Sequence, residues 1–353
     1  MKVGIVGFAG SGKTTIFNAL TGLAAETGFG GKDRANVGVI KVPDSRVDRL
    51  ADLYKPKKKT YAEMSFVDVA GPEAQTGERS ETGLDAKLVQ HMREADALVH
   101  IVRDFDNPFL ARAANPAGDV QAFEDEMMLT DLVQIENRIA RLKKEKDSGR
   151  ERELFDTLKA ALESEKPLRD IEIPPEDLGL IAGFRFLSLK PELLLVNVGE
   201  DKAGSSAPSA ELAAVAEAKN LPAIVMCGKA EMEIAELSPD EQREFLEDLG
   251  IKEPARDRFI TAAYGLLDLI SFLTAGEDEC RAWPIKRGTS AHRAAGKIHS
   301  DIERGFIRAE IVRFEDLINS GSIAACREHG KLRLEGKEYV VQDGDVINFR
   351  FNV

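Results

Sequence analysis

Residues 7–14 read GFAGSGKT, and this stretch decides the fold. It matches the pattern G-x-x-x-x-G-K-[ST], between a short apolar run, KVGIVG (2–7), and a helix-forming run, TIFNAL (15–20). Glycines at 7, 10 and 12 let the backbone curl so that its N–H groups face a phosphate, and the new helix adds its N-terminal dipole. Lys13 is then expected to bridge β- and γ-phosphates and Thr14 to offer its hydroxyl to Mg²⁺. Gly7, Ala9, Gly10, Ser11, Gly12, Lys13, Thr14 and Thr15 form the phosphate-side candidate site.

Outward from this loop, further buried-strand candidates are VGVIKV (37–42), MSFVDV (64–69), ALVHIV (97–102), LLLVNV (193–198) and AIVMC (223–227). Helical patterns separate most of them, which predicts an α/β domain with a largely parallel sheet. FVDVAG (66–71) places Asp68 at a strand end and Gly71 three residues on. Such an Asp can hold Mg²⁺ through water, and such a glycine N–H can meet the γ-phosphate. LLLVNVGED (193–201) then emerges from its strand where a guanine-specific protein carries Asn-Lys-x-Asp; here Asn197, Val198 and Glu200 stand instead.

Between about residues 121 and 182 no strand is predicted. Met128, Leu132, Ile135, Ile139 and Leu142 repeat at heptad spacing, a charged turn follows, and Leu154, Leu158 and Ala161 mark a second helix. This reads as an antiparallel helical hairpin inserted in the α/β domain. From Arg281 to Val353, 13 Lys/Arg face 10 Asp/Glu, a balance of +3, whereas the rest of the chain carries −16. That segment has β-like runs at AEIVRF, YVVQ and VINFRF, a Gly344-Asp345 turn and one or two helices, the pattern of a small α+β module. Domain limits of 1–280 and 281–353 follow.

The overall charge of −13 argues against a protein coated in phosphate backbone. No run of about 18 apolar residues predicts a membrane span, and no signal peptide is read at the start. Cys227, Cys280 and Cys326 form no CxxC pair, so neither a disulfide frame nor a zinc site is expected and a reducing cytoplasm fits.

The phosphate loop, NVGVIKVPDSRVDRLADLYKPKK (36–58) and FVDVAG together resemble the Obg-like ATPases of the YchF family, and the chain reads as a divergent member. RAWPIKRGTSAHRAAGKIHSDIERGFIRAEIV (281–312) and KLRLEGKEYVVQDGDVINFRFNV (331–353) are similar to that family's C-terminal TGS domain. The resemblance implies a Ras-like P-loop NTPase domain, a coiled-coil hairpin and a ubiquitin-like, β-grasp TGS module. It also implies nucleotide-dependent association with ribosomes or RNA, and Mg²⁺ as cofactor. Asn197, Val198 and Glu200 would flank the base, and Cys227, Gly228 and Lys229 would form the last base-side loop through backbone groups.

Several positions depart from the family. Lys32 falls where the first switch supplies a threonine to Mg²⁺, with Thr27 and Asp33 nearby. Pro72 follows Gly71, where no water-orienting glutamine stands, and Phe109 falls near a family histidine in DNPFLARAANP. No general base is identified, so slow intrinsic hydrolysis is expected. Guanine offers N1–H and N2–H₂ to a rigidly placed Asp; Glu200, one methylene longer, forfeits that discrimination. The residues say only that the site is not strictly for GTP, and the resemblance points to ATP. Three functions compete: a slow ATPase switch on ribosomes or RNA, a nucleotide-binding scaffold without turnover, and a metabolic phosphotransferase, which lacks any acceptor-pocket signature. Lys55, Lys57, Lys58, Lys59, Lys143, Lys144 and Lys146 are the candidate RNA contacts, and a monomer is expected.

Overall fold

The computed structural model describes residues 1–22, 36–68, 84–145, 149–248 and 254–352. The strands are β1 (Lys2–Val6), β2 (Asn36–Val42), β3 (Lys58–Thr60), β4 (Ala62–Asp68), β5 (Ala97–Asp104), β6 (Glu192–Val198), β7 (Ala223–Met226), β8 (Leu269–Thr274), β9 (Glu279–Lys286), β10 (Phe306–Arg313), β11 (Arg333–Glu335) and β12 (Asp345–Phe351). They form two six-stranded sheets, ordered β2-β4-β1-β5-β6-β7 and β11-β10-β12-β8-β9-β3. The chain divides into two compact units, one of residues 1–39 and 65–259, the other of residues 40–64 and 260–353.

In the first unit β1 pairs parallel with both β4 and β5, β5 with β6, and β6 with β7. The predictions for β1, β4, β5, β6 and β7 hold. The first strand after the phosphate loop differs in kind: β2 sits at the sheet edge, and its alternating pattern leaves Val37 and Val39 more than half exposed. β4 and β2 extend the sheet on one side of β1, and β5, β6 and β7 on the other, so the C-terminal end of β1 lies at the switch point where an open α/β sheet offers a ligand crevice. Helix α1 (Lys13–Thr21) starts there and buries Ile16, Phe17 and Leu20.

Helix α2 spans Ser45–Tyr54 and α3 spans Ala86–Glu94. The hairpin is α4 (Pro116–Glu145) and α5 (Arg150–Glu163). Thirty residues make α4 about 45 Å long. Its first half packs on the sheet through Val120, Phe123 and Met127. Its second half meets α5 in the predicted seam: Met128, Ile135 and Ile139 share a core with Leu154 and Leu158, and Phe155, Phe184 and Phe186 fill it further. Asp131, fully buried, accepts hydrogen bonds from the Leu187 N–H at 2.9 Å and from the Ser188 N–H at 2.8 Å, tying the returning chain to α4.

A charged cluster lies beneath α4. Arg169 donates to Glu124 at 2.5 Å and stands 3.5 Å from Glu192, while His100 is 3.3 Å from Glu192 and its ring lies tilted against Phe123, centroids 4.2 Å apart. Two carboxylates share one guanidinium. Burial first and the Glu192 carboxylate second push Glu124 up to about 8, against Arg169, and burial pushes His100 down to about 4.

In the second unit β8 and β9 form an antiparallel hairpin, β10 pairs antiparallel with β12 and β11, and β3 joins β9 in parallel. The expected boundary at 280/281 falls inside β9. YVVQ is no strand: Val340 makes only an isolated bridge to Ser290. Helices Ala291–Ile298, Ser300–Arg304, Phe314–Ser320 and Ile323–Glu328 exceed the one or two expected. The core joins Phe272, Ile285, Ala294, Ala309, Ile347 and Phe349. Residues 40–64 belong here because Arg46 bridges Asp44 at 2.8 Å and Asp343 at 2.9 Å, and the Ser271 N–H reaches Asp343 at 2.9 Å. Among the described residues, no helix is long and apolar enough to cross a membrane, and Cys227, Cys280 and Cys326 are buried free thiols.

Candidate functional site

The phosphate loop closes on itself. Lys13 donates to the carbonyls of Gly7 and Phe8, both at 2.9 Å, and the Ser11 N–H reaches the Phe8 carbonyl at 3.3 Å. Burial pushes the Lys13 ammonium down to about 8, with Asp68 opposing. Gly10 and Gly12 hold φ of 76° and 88°, where a side chain is strained. A Cβ on Gly12 would collide with the Asn197 amide, and one on Gly10 would stand 2.6 Å from Leu110 Cδ1. Ala9 in the loop and Thr15 in the first turn of α1 are both half-buried.

Beside the loop, the Thr14 hydroxyl donates to Asp68 Oδ2 at 3.0 Å. Asn36 Nδ2 donates to the same oxygen at 3.4 Å, a partner sequence reading missed. Asp68 is 4% exposed, and its Oδ1 is buried without a partner among the described residues. An orphaned carboxylate oxygen next to a hydroxyl is a donor set for a hard divalent cation, so these residues fit Mg²⁺. Gly71, Pro72, Glu73 and Gln75, the first-switch residues Thr27, Lys32 and Asp33, and Lys146 lie outside the described residues.

Asn197 joins two loops. Its Nδ2 donates to the Ser11 carbonyl at 3.0 Å and its Oδ1 accepts from the Gly228 N–H at 3.1 Å. The amide is thus spent on holding the phosphate loop to the loop after β7. Val198 alternates to the other face and packs with Val102, Val120 and Val196. Cys227 is buried and caps the helix Gly228–Glu236. Lys229 and Glu200, both exposed, form a 2.7 Å ion pair between the loops that follow β7 and β6.

The loop after β5 is pinned to the end of its strand. Arg103, 2% exposed, donates to the carbonyls of Phe105 at 3.1 Å and of Arg112 and Ala113, both at 3.0 Å. Phe109, near the expected histidine position, is 82% exposed. His91 is half-buried on α3. The basic run near residue 57 is largely matched by acids: Lys57 with Asp278 at 2.8 Å, Lys58 with Glu279 at 3.5 Å and Lys59 with Asp48 at 2.6 Å. Lys143 and Lys144 are exposed on the last turn of α4.

A parallel α/β sheet, a phosphate loop at its switch point and a Thr–Asp pair beside it define a P-loop NTPase. Two family models match the chain, one described as "50S ribosome-binding GTPase" over residues 2–146, the other, YchF-GTPase_C, as "Protein of unknown function (DUF933)" over residues 269–352. Proteins named ribosome-binding ATPase YchF from Bacillus subtilis and Pasteurella multocida are 43% and 41% identical, covering all of this chain and 100% and 99% of theirs. The solved YchF GTPase of Schizosaccharomyces pombe matches at 28% identity with a TM-score of 0.87, over 99% of this chain and 97% of that one. The chain belongs to the YchF family.

Proposed function

We propose that the chain is a slow nucleotide-hydrolysing switch that prefers ATP, tolerates GTP and works in the cytoplasm in association with ribosomes or RNA, regulating translation or a stress response. The Thr14–Asp68 pair with its orphaned carboxylate oxygen carries the hydrolysis reading. Gly7, Ala9, Gly10, Ser11, Gly12, Lys13, Thr14 and Thr15, with Gly71, take the phosphates. Asn197, Val198, Glu200, Cys227, Gly228 and Lys229 surround the base, Val198 and Cys227 through backbone.

Thr14 and Asp68 would hold Mg²⁺, which supplies charge neutralisation at the phosphates when bound. Lys13 stabilises charge on the γ-phosphoryl oxygens, and the curled backbone orients the chain of phosphates. Glu200 presents a carboxylate that accepts from the N6 amine of adenine once it leaves Lys229, whereas guanine has a carbonyl oxygen at that ring position. The C-terminal unit is read as a TGS module of the β-grasp type, a reading supported by the antiparallel pairs β8–β9 and β10–β12. The relatives' printed name, ribosome-binding ATPase, supports the ribosome as partner, and the chain is read as a monomer. Lys57, Lys58 and Lys59 would have to exchange exposed acid partners for phosphates, and exposed pairs yield readily.

Single-turnover assays with ribosomes present test the reading. Phosphate release from ATP that exceeds release from GTP is expected; nucleotide that stays bound and intact over hours would make the protein a scaffold instead. Co-sedimentation with ribosomes should weaken steeply with salt, and salt-insensitive binding would remove the phosphate-contact reading.

A further inference from the structure

The segment between β5 and α4 lies on the phosphate loop at three points. Phe105 brings its ring edge to 4.0 Å from where a Cβ on Gly12 would stand. Leu110 occupies the space over Gly10, and the Arg112 guanidinium sits over the Phe8 ring, 5.9 Å from its centroid. Three residues of one loop thus meet three of the phosphate loop, Phe8, Gly10 and Gly12. The backbone at Arg112 is fixed from below, because Arg103 holds its carbonyl and that of Ala113 at 3.0 Å.

Arg112 is the one cation between Phe105 and Asn115. Its side chain is 57% exposed and rests on Asp119 at 2.8 Å, in the first turn of α4. A guanidinium on a fixed backbone, parked on a single carboxylate at the rim of a phosphate loop, is poised to move onto a more highly charged anion. Its planar fork suits the equatorial oxygens of a phosphoryl group. The loop holds no histidine, and Phe109 points to solvent where one was expected.

Resting on the hydrolysis reading above, we infer that Arg112 is a catalytic residue: a guanidinium supplied from within the chain that neutralises charge on the γ-phosphoryl group as ATP is cleaved. In that step the water oxygen bonds to Pγ, the Pγ–O bond to the β-phosphate breaks, and the bridging oxygen leaves on ADP with the electron pair. The water's proton ends on inorganic phosphate or solvent. A cation placed this way acts in the transition state more than in the ground state, so it lowers the barrier without tightening ATP binding.

The full chain and its R112A and R112K variants are compared in three measurements: single-turnover ATP cleavage, affinity for a non-hydrolysable ATP analogue, and formation of the ADP–aluminium fluoride complex. R112A is expected to slow cleavage about 100-fold or more, with analogue affinity within about twofold and the fluoride complex lost. R112K, which keeps the charge and the Asp119 partner but not the fork, should recover little of the rate. Cleavage by R112A within about threefold of the parent overturns the inference. So does a rate loss matched by an equal loss of analogue binding, which would make Arg112 a structural cap on α4. If the unaltered chain cleaves no ATP, the hydrolysis reading itself falls, and the role of Arg112 with it.

Discussion

Asn197→Ala should loosen the site from both sides at once. The side chain is 4% exposed, and it satisfies the Ser11 carbonyl at 3.0 Å and the Gly228 N–H at 3.1 Å, groups on buried residues. Alanine leaves both without a partner. Each unsatisfied buried group costs about 1–3 kcal/mol, and partial hydration of the emptied space lowers the sum to about 2–4 kcal/mol. Amide exchange followed by mass spectrometry reads this locally. Peptides spanning residues 7–16 and 223–232 should exchange about 30- to 1000-fold faster, at about 1.4 kcal/mol per factor of ten. Asn197→Asp keeps the acceptor for Gly228 but turns an oxygen toward the Ser11 carbonyl, so it should loosen the phosphate-loop peptide more than the other. Exchange in the alanine variant within about threefold of the parent would refute the view that this amide holds the two loops together.

The buried carboxylates predict a pH dependence of stability. Glu124 titrates at about 8 when folded and near its ordinary 4.5 when unfolded, so its contribution is full below 4.5 and lost as pH rises toward 8. Glu124→Gln mimics the protonated form; between pH 5 and 8.5 the parent should lose stability relative to it, by a few kcal/mol in urea titrations of the order expected for such a shift. Parallel pH profiles for the two proteins would count against a raised Glu124 carboxyl in this cluster. His100 works in the opposite sense, with its contribution full above 6.5 and lost as pH falls toward 4, and His100→Phe should flatten the acid limb. Gly12→Ala forces a Cβ into the Asn197 amide at a φ of 88°; nucleotide binding by calorimetry should fall about tenfold or more, and unchanged binding would show that the loop relaxes around the methyl group.

The phosphate loop and the inner strands were legible because each is a local pattern. GFAGSGKT carries its own geometry, and β1, β4, β5, β6 and β7 are apolar runs between helix signals. The heptad seam from Met128 to Leu142 likewise forecast the hairpin, since helical periodicity is local too. What was not legible depends on partners far away in the chain. Arg46 and Asp343 are 297 positions apart, and β3 pairs with β9 across more than two hundred residues, so nothing near residues 40–64 announces that they belong with the C-terminal sheet. YVVQ has the composition of a strand but lies beside a turn that gives it no ladder. At the site, the position of Asn197 after β6 predicts a base contact, whereas both ends of its amide are occupied by backbone groups distant in sequence. The nearness of Arg112 to Phe8 left no trace in spacing, because it arises from the loop folding back over the phosphate loop.

Calorimetric titration with ATP and with GTP, each with and without Mg²⁺, tests the central claim most directly. The Thr14–Asp68 pair and Glu200 predict binding of both nucleotides, tighter for ATP, with Asp68→Asn removing the gain that Mg²⁺ brings. Strict selection of GTP, or no heat from either nucleotide, would contradict an ATP-preferring phosphate-loop switch.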